Sequence, residues 1–240
     1  MSDKGLPILD VKKPKSKPDT APYPLPPHPF NMVISSSPRS GKTNVLISLI
    51  GASHMYGRDY WNTIYFFSPS CLHDETTKYV LPKLDNVIVI SDPKDLDSAD
   101  LLVGQIMRDQ MAANYEDREK ILIVMDDMSS DLSRQKNLQK SACRFRHGNC
   151  SIITLVQSYK TAPLLIRNCM TAFIVFNVAS DKEFEKIAEE VLDRFPNGRE
   201  LCRQATRQRY NFCYVNVERA QMWHNFDTIL YDKATDPDMN

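Results

Sequence analysis

Residues 35–44 read SSSPRSGKTN. Ser40, Gly41, Lys42 and Thr43 end a phosphate-binding loop of the G-x-x-x-x-G-K-[ST] kind, with Ser36 where the pattern has its first glycine. In such a loop the stretch Ser36, Ser37, Pro38, Arg39, Ser40, Gly41 turns its available N–H groups inward on phosphate. Gly41 permits close approach, Lys42 sets its ammonium on the β- and γ-phosphates, and the Thr43 hydroxyl takes a position on Mg²⁺. Serine serves at position 36 where φ stays negative. A second run, residues 121–127 (ILIVMDD), is an apolar strand ending in two carboxylates. Asp126 is placed to hold the Mg²⁺ through water, and Asp127 stands where the base or water-positioning acid of an ATPase belongs. A third run, residues 152–157 (IITLVQ), delivers Gln157 at a strand's C-terminal end, where ligands sit in open α/β sheets. Gln157 is positioned for the γ-phosphate or the attacking water. ATP and Mg²⁺ are the cofactors these residues imply.

Those side chains need strands to carry them. Short apolar runs alternate with helical patterns after residue 30, the signature of a mainly parallel α/β sheet flanked by helices. Strands are expected over 31–35, 63–67, 87–90, 121–125, 151–156, 172–178 and 211–217. Helices are expected over 43–50 (closed by Gly51), 97–115 and 181–195. The last has Ser180 and Glu183 as a capping box and Asn197-Gly198 as its stop. Residues 1–30 hold 8 of the 15 prolines and open with five lysines, which excludes helix and central strand. The expected division is a Pro/Lys-rich flexible arm over 1–30, an ATPase domain over 31–230 and a short acidic tail over 231–240. The arm is either a disordered leader or a segment laid across a neighbouring subunit.

The formal net charge is zero, so a polyanionic partner must be met by local charge segregation. Such segregation exists. Residues 133–149 (SRQKNLQKSACRFRHGN) carry Arg134, Lys136, Lys140, Arg144 and Arg146 with no acid. Arg199, Arg203, Arg207 and Arg209 form a second basic stretch opposed by Glu200. A solvated helix face, contact with a DNA backbone, and an arginine finger in a neighbour's site all fit the first run. The longest apolar runs are too short to span a bilayer, so no membrane partner is expected. The N-terminus lacks a signal-peptide core, which predicts an intracellular chain. The six cysteines lack a C-x-x-C pair and are expected to be reduced thiols. The histidines lack metal-ligand spacing.

The combination of SSSPRSGKT, ILIVMDDMS and RFRHGNCSIITLVQSYKTAPLLIRNCMTAFIVF resembles the FtsK–HerA superfamily. Within it the chain looks most like the genome-packaging ATPases of poxviruses, giant DNA viruses and virophages, at a virophage-like size. The resemblance covers about residues 31–176. It implies a RecA/HerA-like additional-strand P-loop NTPase fold, with the Gln157 strand between the other two motif strands. It implies a hexameric or pentameric ring with double-stranded DNA in its pore and a capsid vertex protein as docking partner, acting in the host cytoplasm or viral factory or with the virion. It further implies that Lys42 and Thr43 bind phosphate and Mg²⁺, Asp126 the metal, and Gln157 the γ-phosphate. Asp127 takes the catalytic acid position, where many members have Glu. Arg144 or Arg146 would be the trans finger, with Arg167 a weaker candidate. The function expected is ATP-driven packaging of a viral genome; the alternatives are a HerA-like DNA-processing translocase and a nucleotide-dependent scaffold with little hydrolysis.

Overall fold

The computed structural model describes residues 21–92, 98–128 and 132–236. In chain order these form β1 (Asn31–Ser35), α1 (Lys42–Gly51), β2 (Thr63–Phe67), α2 (Glu75–Val80), β3 (Val87–Ile90), α3 (Ala99–Ala112) and β4 (Ile121–Met125). Then come α4 (Lys136–Arg144), β5 (Cys150–Val156), α5 (Leu164–Asn168), β6 (Ala172–Phe176), α6 (Asp181–Ile187), α7 (Gly198–Ala205), β7 (Phe212–Asn216), β8 (Gln221–His224) and β9 (Thr228–Asp232). The nine strands make one sheet in the order β3-β2-β4-β5-β1-β6-β7-β8-β9. The first six in that order pair in parallel and the last three antiparallel. The Gln157 strand β5 lies between β1 and β4, as the family resemblance implied.

Register sets the site. Ser35 pairs with Val156 and Met125 with Thr154, so the residues leaving β1, β4 and β5 emerge along one edge. Alternation divides the apolar side chains between two faces. Ile121, Ile123 and Met125 pack with Val103, Leu138 and Ile187, whereas Leu122 and Val124 pack with Leu46, Leu49 and Ile50 of α1. Both faces are covered, which is why these strands read as unbroken apolar runs. Among the described residues no helix is long and apolar enough to cross a membrane.

Four expectations need correction. The domain does not begin at residue 31: Leu25 and Phe30 are fully buried, and residues 21–30 are stitched to the core through their carbonyls. Tyr56 Oη donates to Pro26 O at 2.6 Å and Tyr214 Oη to Pro24 O at 3.1 Å. Proline lacks a donor but keeps its acceptor, so a proline-rich segment can dock this way without joining a sheet. The rest of the expected arm, residues 1–20, lies outside the described residues, while the expected tail starts inside β9. Second, the 181–195 helix is two pieces: α6, then a wide π turn over Ala188–Leu192 closed by Asp193 N–H donating to Ala188 O. Ser180 makes no side-chain cap, and the Glu183 carboxylate accepts the Tyr159 N–H. Third, Asn197-Gly198 opens α7, which the sequence reading missed. A Cβ on Gly198 would lie 2.3 Å from Leu192 O, so the close packing of the two helices admits no side chain there. Fourth, Cys143 and Cys169 form a disulfide, whereas the other four cysteines are free and buried.

Candidate functional site: the phosphate loop and its carboxylates

β1 feeds the loop directly. Ser36 is buried, its N–H donates to Val156 O at 3.1 Å, and it is absent from the positive-φ residues, so serine fits the glycine position without strain. The left-handed turns fall at Arg39 (φ 61°) and Gly41 (φ 99°). Gly41 also packs against Tyr210, whose ring a Cβ would meet at 3.4 Å. The N-terminus of α1 has no side-chain cap, and its first intrahelical bond runs from Val45 N–H to Gly41 O. The N–H groups of Lys42, Thr43 and Asn44 therefore remain as donors for an anion.

Opposite stand the carboxylates. Asp126 is 5 % exposed, with its N–H donated to Phe67 O at 2.9 Å. Burial holds its carboxyl above the ordinary carboxylate value; Lys42 pulls it back, while Asp127 and Asp74 push further up. Asp127 adopts φ 56°, a region that short polar residues enter more readily than longer ones. That conformation is one reason for Asp at a position where Glu was the family expectation. Gln157 Nε2 donates to Asp127 Oδ1 at 3.0 Å, which orients the carboxylate.

The loop, Asp126, Asp127 and Gln157 line one cleft of about 350 Å³. Five groups that sequence reading did not select share it: Asn44, Ser70, Asp74, Thr76 and Tyr210. Asp74 caps α2, its side chain accepting Thr77 N–H at 2.9 Å. Tyr210, left-handed at φ 72° and stacked under the Arg209 guanidinium at 4.7 Å, offered no local signal.

The donor set suits Mg²⁺ held beside phosphate. Thr43 and Asp126 both line the cleft and could supply oxygen ligands, and a buried carboxylate with disfavoured ionisation gains from a neighbouring cation. Ser40 Oγ is buried without a partner, which fits a loop built to meet phosphate oxygen. Among the described residues no three His, Cys, Asp or Glu side chains converge, so Mg²⁺ here would share its ligands with the phosphates and water.

The cationic candidates are elsewhere. Arg144 and Arg146 precede β5, at the end opposite Gln157; the seven residues of that strand span roughly 23 Å. They are not positioned for this chain's own cleft. Arg146 is exposed and ion-paired with Glu218, and Arg144 lines a surface recess with Met107 and Lys140. Arg167 is 11 % exposed and bound to Glu190 at 2.5 Å, with its guanidinium over the Tyr159 ring. Tyr159 Oη also donates to Glu190, at 2.9 Å. That cation belongs to the interior.

A parallel sheet with the Gln-bearing strand between the loop strand and the acidic strand, and these motifs meeting at its C-terminal edge, defines a P-loop NTPase of the additional-strand type. The chain belongs to the family described as Poxvirus A32 protein, whose profile matches residues 23–192. It is similar to the DNA packaging protein OPG160 of Monkeypox virus, 29 % identical over 164 residues that cover 65 % of this chain and 50 % of the relative. The vaccinia virus (strain Copenhagen) protein of the same name is equally identical, with 56 % of it covered. The chain thus spans about half the length of the curated relatives it matches. Among solved structures, the genome packaging NTPase B204 of Sulfolobus turreted icosahedral virus 2 with ATP-gammaS superposes at TM-score 0.59. Identity is 13 %, covering 80 % of this chain and 95 % of that one. The likeness is one of fold.

Proposed function

We propose that the protein is an ATPase that drives double-stranded DNA into a preformed viral capsid, working as a hexameric or pentameric ring. The observation that carries the reading is the convergence of Lys42, Asp126, Asp127 and Gln157 on one cleft. Lys42 neutralises charge on the β- and γ-phosphates. Thr43 and Asp126 would hold Mg²⁺, which supplies further neutralisation of the developing charge. Asp127, oriented by Gln157, accepts the proton of a water whose oxygen bonds to the γ-phosphorus as the β–γ bridging bond breaks; ADP and phosphate leave. Gln157 senses the γ-phosphate.

DNA contact is assigned to α4. Lys136, Lys140 and Arg144 are spaced four apart on one helix face and all are exposed. A ring multiplies such a stripe by its subunit number, which reconciles a neutral chain with a DNA partner. The relatives' packaging names favour this use of ATP over a DNA-processing or scaffold role. A capsid vertex protein is the docking partner in this reading, and the host cytoplasm or viral factory the place of action, with association to the virion during filling.

The test is steady-state ATP hydrolysis with and without double-stranded DNA, with Lys42→Ala as blank. Stimulation by DNA supports the motor. Nucleotide binding without turnover in either condition sinks it and favours a scaffold.

A further inference from the structure

Gln157 is held by little of its own. It stands one residue past β5, its side chain is exposed, and among the described residues its amide makes a single hydrogen bond, to Asp127. An exposed side chain of that length keeps its rotamer freedom unless the backbone beneath it is fixed. Two residues on, the chain is clamped. Tyr159 opens a 3₁₀ turn over Tyr159–Thr161, fully buried and in edge contact with Phe173 of β6. Its N–H donates to Glu183 Oε1 of α6 at 2.5 Å and its Oη to Glu190 Oε2 at 2.9 Å. Glu190 lies in the π turn that interrupts the 181–195 helix, and it also gathers Arg167 at 2.5 Å and Lys186 at 3.1 Å. Arg167 closes the circuit, its Nε donating to Ala162 O at 3.0 Å.

Both ends of Tyr159, backbone and ring, are therefore fastened to carboxylates of one helical stretch. Hydrogen bonds to a charged acceptor are about twice as strong as neutral ones. π turns inside helices are rare and fall often at functional sites. We infer that Glu183 and Tyr159 are positioning residues for ATP hydrolysis: they fix the backbone beyond β5 so that the Gln157 amide stays on the Asp127 carboxylate. The inference rests on the roles given above to Asp127 and Gln157. Neither Glu183 nor Tyr159 lines the phosphate cleft, so their effect passes through Gln157.

The test is kcat and KM for ATP hydrolysis by the full chain. Glu183→Ala removes the backbone anchor, whereas Glu183→Gln keeps an oxygen that accepts the Tyr159 N–H. Tyr159→Phe removes the hydroxyl and leaves Glu190 paired with Arg167 and Lys186. Glu183→Ala and Tyr159→Phe are each expected to lower kcat about tenfold with KM changed less than about twofold. Glu183→Gln is expected to stay within about threefold of wild type. Added to Gln157→Ala, Glu183→Ala is expected to lower kcat by less than about twofold more, because the anchor has nothing left to position. An unchanged kcat in Glu183→Ala or in Tyr159→Phe, an equal loss in Glu183→Gln, or the full loss repeated on the Gln157→Ala background overturns the inference. A Gln157→Ala chain that turns over at the wild-type rate is a separate outcome. It removes the role of Gln157 itself, and the anchor's purpose falls with it.

Discussion

Charge is handled differently in two parts of this molecule. Around the phosphate loop it is left in tension: Asp126 is buried with its ionisation disfavoured, and Lys42 makes no ion pair among the described residues. On the flank carrying α5, α6 and α7 it is neutralised. Arg167 pairs with Glu190, and Arg199 is forked onto Asp193 at 2.7 and 2.8 Å while reaching Glu185 at 2.7 Å. Burial alone would lift the Glu190 carboxyl, yet hydrogen bonds from Lys186 and Tyr159 together with the Arg167 charge bring it below its ordinary value. Charge without a matching partner is costly to a fold and persists where a ligand completes it. Paired charge holds elements together.

The comparison breaks most sharply on turnover. Lys42→Ala and Asp127→Asn should each lower ATP hydrolysis by about 10²–10⁴-fold with little change in the unfolding midpoint. Asp127→Asn should still bind ATP. A loss of midpoint comparable to that of a core truncation would place Lys42 among the structural charges instead.

Arg144 and Arg146 stand between the two regimes, far from their own cleft and exposed. If one is a trans finger, its alanine variant loses about 10³-fold in rate in the assembled ring. Mixing Arg146→Ala with Asp127→Asn subunits then restores turnover at the interfaces where an intact cleft meets an intact finger. No recovery at any mixing ratio would remove the trans assignment for Arg146.

Stability is the expected readout on the paired flank. Glu190→Gln strands the nearly buried Arg167 and should cost about 1–3 kcal/mol at neutral pH. Because the folded-state pKa of Glu190 lies below its ordinary 4.5, its contribution is present above that value and fades as pH falls through the folded pKa. Wild type and variant should therefore converge in acid; a gap independent of pH would assign the loss to packing.

The smallest effect sharpens the contrast between the two basic stretches. Each α4 cation removed, Lys136→Ala or Lys140→Ala, should reduce the slope of log affinity for DNA against log salt by about 0.9 without altering stability. Arg199→Ala should leave that slope alone and lower the unfolding midpoint only slightly, since its partners are half exposed and screened by water. Reversed outcomes would exchange the roles of the two helices.

Sequence alone determined the elements whose signals are local. β1, β2, β3 and β4 fall at their expected bounds; β1 and β4, covered on both faces, are unbroken apolar runs, and β3 is a short apolar run at the sheet edge. Asp126, Asp127 and Gln157 were legible because each follows such a run, where the chain turns polar, and Lys42 because the Gly-Lys-Thr spacing marks a phosphate loop. Tertiary structure decided what depends on partners distant in sequence. Residues 21–30 dock because Tyr56 and Tyr214 donate to their carbonyls, and the disulfide exists because α4 and the end of α5 meet. β8 and β9 escaped notice because an edge hairpin, with a register shift between Met222 and Trp223, loses the period-two pattern. Helix α7 was hidden by a glycine that reads locally as a stop, although its cause is the Leu192 carbonyl. The two basic stretches look alike as strings of letters. Only folding brought Asp193 and Glu185 to Arg199 and left Lys136 and Lys140 facing water, because a charge's role is set by what lies within a few ångströms and not by its neighbours along the chain.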